Sequence, residues 1–200
     1  MRFAIGPIPS SSRVSPSNED WTPLREPSSG TFSIQVLLLS LPLLVFSIWI
    51  LLQIKGNLRS HPVQLVVLLS FFGLMVPVHE LIHAFAYPGG LRSKHLVVGA
   101  WLQRGLCYVV FDFPLRRNRI LLMLIAPFFV FSISLVAVIW LAPTEWRMLG
   151  MLALLIHTAT CFGDFLTMSR MLSQVPPESL VQNDGWLTCW MPLPNGEAKA

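Results

Sequence analysis

The chain has 200 residues, 54% of them hydrophobic and only 12% charged. With a mean hydropathy of +0.62, that is a membrane protein's balance and excludes an ordinary soluble domain. The net charge of +4 calls for no nucleic-acid partner, because a basic face against anionic lipid accounts for it.

Residues 1–30 hold five prolines and a crowd of serines, too polar to bury a core, and read as a disordered arm. The arm is not a signal peptide, since no apolar run follows Arg2. Four apolar stretches come next, 32–54, 62–87, 120–142 and 148–168, each longer than the roughly 20 residues needed to cross a hydrocarbon core. Glu80 is the only charge in the second and Asp164 the only one in the fourth. Between the second and third, segments 95–102 and 106–113 are rich in β-branched and aromatic residues and flank Gln103, Arg104 and Gly105. That pattern predicts a β-hairpin over 95–113. Beyond 171 a polar tail, 172–200, carries Trp186 and Trp190 four apart, a pair for the lipid interface or simply for solvent. The expected fold class is thus an all-α membrane protein, with four transmembrane helices in a domain over 31–171 and one hairpin between the second and third.

Orientation follows from the basic residues. With four spans, the arm, the hairpin connection and the tail share one side, which holds eleven of the lysines and arginines against three on the other. Positive residues favour the cytoplasmic face, so the chain is expected to be a multi-pass cell-membrane protein with both termini and the hairpin in the cytoplasm. Cys107, Cys161 and Cys189 are an odd number without metal-type pairing, and two of them face a reducing compartment, which argues against a disulfide framework. Cys161, inside the fourth span, reads as a small packing residue.

The chemistry sits in His79-Glu80-Leu81-Ile82-His83. On a helix His79 and His83 are one turn apart on one face, the spacing at which both can bind one zinc ion, and Glu80 lies beside them without being a ligand. Ionisable groups at mid-membrane cost about 2.5–3.5 kcal/mol each, so three within one turn call for a compensating partner such as a metal. Pro88-Gly89-Gly90 ends the second helix four residues after His83, about 6 Å, and Asp164 lies about 9 Å before Arg170. The two spans run the same way, so Asp164 lies at a similar depth and is the candidate third ligand; its bland alternative is a capping or packing carboxylate. His157 lies about 10 Å deeper than Asp164 and reads as a packing or hydrogen-bonding histidine, with contact to substrate as the alternative. Pro77 and Pro127 are expected to kink the second and third spans near the site.

The zinc motif on the second span, Ala126-Pro127-Phe128 in the third and Cys161-Phe162-Gly163-Asp164 in the fourth together resemble the small bacterial membrane proteins grouped as putative zincin peptidases. They are similar, more distantly, to the site-2 protease clan of intramembrane metalloproteases. The clan's distant aspartate precedes glycine; here Gly163 precedes Asp164 and Phe165 follows. The resemblance covers roughly 60–170 and implies a zinc-dependent endopeptidase acting on a membrane protein or peptide. In it Zn2+ is held by His79, His83 and Asp164 while Glu80 moves protons. Two other classes stay open: a catalytically inactive scaffold or adaptor, against which the intact Glu80 speaks, and a zinc carrier or sensor. A carrier would more naturally spread several carboxylates or histidines along a path.

Overall fold

The computed structural model describes residues 1–10, 20–60, 62–104 and 106–193. His61, between the first two apolar stretches, lies outside them. Helix α1 (Ser29–Ser60) starts where Ser28 Oγ accepts a hydrogen bond from Thr31 N at 3.3 Å, the side-chain cap that replaces a missing backbone acceptor. Helix α2 (Pro62–Ala86) ends before Pro88, and Gly89 turns the chain away at φ +83°, a conformation glycine adopts without a Cβ clash. Helix α3 spans Arg117–Leu141, α4 Thr144–Thr160 and α5 Phe162–Gln174. Four segments, Ser29–Ile54, Pro62–Ala86, Arg117–Leu141 and Thr144–Gln174, are long and apolar enough to cross a membrane. Their outward faces carry exposed Leu, Ile, Val and Phe, such as Leu38, Val66, Phe85 and Ile133, a surface suited to lipid rather than water.

The fourth segment is not one helix. Thr160 Oγ1 donates to His157 O at 2.7 Å and Thr158 Oγ1 to Leu154 O at 2.8 Å, so hydroxyls compete with backbone N–H groups for carbonyls. With Gly163 following, the helix is interrupted at Cys161 and resumes as α5.

Two sheets gather at one end of the bundle, where α1 and α3 begin and α2 and α5 end. Strand β1 (Arg2–Ile5) runs parallel to β3 (Leu96–Trp101), which pairs antiparallel with β4 (Leu106–Phe111). The second sheet has the order β2-β7-β6-β5, from β2 (Thr22–Pro23), β7 (Leu187–Pro192), β6 (Ser179–Asp184) and β5 (Leu115–Arg116). The hairpin expected over 95–113 is β3 and β4. The chain is mostly helical with the four expected apolar segments, but it holds more strand than the one expected hairpin: seven strands form among the described residues. Among the described residues of the arm, 2–5 and 22–23 are strands and Trp21 and Leu24 are buried. Polar composition hid them because each strand is short and draws its backbone partners from distant sequence. Residues 179–192 form a local hairpin, β6 and β7 paired across Gly185 and Trp186, with Val181, Gln182 and Cys189 fully buried.

Side chains from both layers meet in one cluster. Leu24, Ala84, Tyr87, Leu96, Phe111, Ile120, Met123, Met171, Val175 and Val181 pack together, joining the strands to the helix ends. Two arginines at the start of α3 pin those ends. Arg119 Nη2 donates to Ala86 O at 2.6 Å and Arg117 Nη1 to Val175 O at 2.7 Å, cations on the terminal carbonyls of α2 and α5.

Candidate metal centre

His79 and His83 lie on the buried face of α2, with 9% and 8% of their surface exposed. Their rings stand nearly perpendicular, 4.8 Å between centroids. His79 Nε2 lies 3.1 Å from His83 Nε2 and 3.1 Å from Asp164 Oδ2, and His83 Nε2 lies 3.5 Å from Asp164 Oδ1. Zinc bonded to nitrogen and oxygen at about 2.0–2.1 Å in a tetrahedron needs donor–donor edges of about 3.3 Å. Two imidazoles and one carboxylate at these separations therefore fit the ion in both donor type and spacing. Asp164 reaches the site from the first turn of α5, just past the interruption at Cys161.

Each ring has a second nitrogen, and each is engaged. His83 Nδ1 donates to Met123 O at 2.7 Å. His79 Nδ1 lies 3.4 Å from His157 Nε2. The His79 ring offers one nitrogen to each of His157 and Asp164, at 3.4 and 3.1 Å. His157 is fully buried, stacked on Phe131 at 4.1 Å with Cys161 Sγ 3.7 Å from its Nε2. It sits against His79, within hydrogen-bonding reach of that ring. His79, His157 and Cys161 form a second group with donor atoms within 4.8 Å of one another, a proximity that sequence spacing alone did not reveal.

Glu80 faces a cavity of about 350 Å³ that His79, His83 and Asp164 also line, and it has no hydrogen bond or ion pair among the described residues. The far wall comes from the strands: Cys107 to Phe111 of β4, Val181 and Asn183 of β6, and Trp186 between β6 and β7. Burial raises the Cys107 thiol pKa. Glu26, also in the wall, accepts from Thr188 N and Thr188 Oγ1 at 3.0 Å each, and burial raises its pKa despite those bonds. Sequence reasoning missed Glu26 and Thr188, because residues 162 apart with no motif between them leave no local signal.

The chain thus combines helices long and apolar enough to cross a membrane with a dihistidine–carboxylate cluster that could hold a divalent ion beside a cavity. The chain belongs to the family described as putative zincin peptidase, which it matches over residues 72–180. That stretch includes the histidine pair, Glu80, Asp164 and His157. No curated protein and no solved structure matches the chain.

Proposed function

We propose that this protein is a membrane-embedded zinc endopeptidase that cuts a membrane-associated polypeptide. The observation that carries the reading is the convergence of His79, His83 and Asp164 at one wall of a cavity into which an unpartnered Glu80 projects. His79, His83 and Asp164 would hold the ion. Zinc bound there supplies Lewis-acid chemistry, polarising the scissile carbonyl and making water easier to deprotonate. Glu80 takes a proton from the attacking water as its oxygen bonds to the carbonyl carbon. It returns that proton to the amine nitrogen as the C–N bond breaks. Leu124, Ile120 and Met171 line the same space and help to exclude bulk water.

The substrate segment lies extended along β4. That strand is the outer member of the β1-β3-β4 sheet, and Cys107 to Phe111 face the cavity, so its free edge offers backbone partners to an added strand. With this end of the bundle and both termini in the cytoplasm, the basic residues around the strands would lie on the side that positive residues favour. A cysteine introduced at Thr144 would then react with an impermeant label from outside and one at Lys94 would not; the reverse pattern contradicts this orientation.

The decisive assay is hydrolysis of single-span proteins in proteoliposomes. Glu80→Gln keeps the shape of the side chain and removes the base, so cleavage falls about 10²–10⁴-fold with zinc retained. Full activity in Glu80→Gln ends the peptidase reading. Zinc flux without hydrolysis favours a carrier, for which the second donor group sharing His79 is the supporting feature.

A further inference from the structure

Pro127 and Met123 are four residues apart on α3. In an unbroken helix the N–H of residue 127 bonds the carbonyl of residue 123, and proline has no N–H to give. That carbonyl takes the Nδ1–H of His83 instead, at 2.7 Å. A carbonyl only accepts, so His83 Nδ1 must carry the proton, which leaves Nε2 with the lone pair a metal needs. The same logic applies to His79. To bind through Nε2 it must carry its proton on Nδ1, and the group 3.4 Å from Nδ1 is His157 Nε2. We propose that Pro127 and His157 are positioning residues that fix the tautomer and ring orientation of His83 and His79, Pro127 by freeing the Met123 carbonyl and His157 by accepting directly. This rests on the reading of the two histidines as metal ligands.

The packing supports it. Pro127 is fully buried and Met123 is 5% exposed, so neither the proline ring nor the carbonyl faces lipid. His157 is clamped between the Phe131 ring and Cys161, which leaves its imidazole little freedom to turn away. Partners of this kind are typically worth about 10–100-fold in metal affinity.

The test is zinc affinity by chelator competition on the purified full chain, with the visible spectrum of the cobalt-substituted protein alongside. In Pro127→Ala the new N–H competes for Met123 O. Affinity should fall about 10–100-fold and the cobalt bands shift, while the melting temperature holds or rises because alanine is the better helix former. A purely structural proline would give the opposite pattern. His157→Phe should weaken zinc by a similar factor, and His157→Gln, which keeps an acceptor, should recover most of it. If His157→Phe does not fold, His157→Gln against His157→Leu gives the same contrast. Cys161→Ala, which opens one side of the His157 clamp, should lose clearly less affinity than His157→Phe.

Wild-type affinity and spectrum in Pro127→Ala or in His157→Phe overturns the role of that residue. A loss in Cys161→Ala as large as in His157→Phe puts the metal on the second donor group and overturns the proposal. Hydrolysis is not read here, so a chain that binds zinc as described and cuts nothing overturns the peptidase reading alone, and a wild-type chain that binds no zinc overturns both.

Discussion

Helices α1 and α2 are both long and apolar enough to cross a bilayer, yet they handle polar groups in opposite ways. In α1 the buried Ser40 and Ser47 donate to carbonyls of their own helix, Leu37 O at 3.1 Å and Leu43 O at 2.7 Å. In α2 the buried histidines depend on other helices, through Met123 of α3, His157 of α4 and Asp164 of α5. A hydroxyl that bonds within its own turn is satisfied wherever the helix lies. An imidazole that needs three neighbours is satisfied only in the assembled bundle, and otherwise leaves a polar group in hydrocarbon. The difference separates polar residues a span merely tolerates from those that define its position and its chemistry.

The contrast can be broken most severely at α2. His83→Ala removes one of the two nitrogens directed at the site and strands the Met123 carbonyl, so purified protein should lose most of its zinc and all measurable hydrolysis. A variant that keeps its zinc would place the ion elsewhere.

The strand layer comes next. A Cβ at Gly99 would sit 2.4 Å from Tyr108 Cζ, across the β3–β4 pair. Gly99→Val should therefore destabilise by about 1–3 kcal/mol through overpacking, read as a lower melting temperature, with zinc binding preserved because His79, His83 and Asp164 all lie on helices. A smaller effect is expected at Val109. Val109→Pro removes one N–H from β4, and cleavage should fall roughly 2- to 12-fold, the worth of one backbone hydrogen bond, at unchanged zinc content. Unchanged turnover would leave β4 as a lid over the cavity. Least of all should follow from Ser47→Ala, within about 0.5 kcal/mol of wild type and with unaltered zinc. A large loss there would erase the distinction between the two helices.

The spans and the histidine pair were legible in the sequence because their signals are local: an unbroken apolar run, and two imidazoles one helical turn apart. Asp164 was reachable by counting rise per residue from each helix end, since both counts start from punctuation the chain itself carries, Gly89-Gly90 and Arg170. The second sheet was not legible. β2 and β5 find their partners across the chain, Thr22 opposite Trp190 and Leu115 opposite Val181, and no periodicity in a two-residue strand announces that pairing. The position of His157 was half visible. Depth arithmetic kept it off the ion that Asp164 would bind, but only the tertiary arrangement turns the His79 ring so that its two nitrogens address both. Pro127 read as a kink; that its missing N–H leaves a carbonyl for His83 depends on α3 lying against α2.

The central claim is that α2 and α5 jointly hold one metal ion, and zinc content measured on Asp164→Ala beside Glu80→Gln and wild type tests it most directly. About one zinc per chain is expected in wild type and in Glu80→Gln, with most of it lost in Asp164→Ala. Zinc retained at the wild-type level in Asp164→Ala would contradict the account.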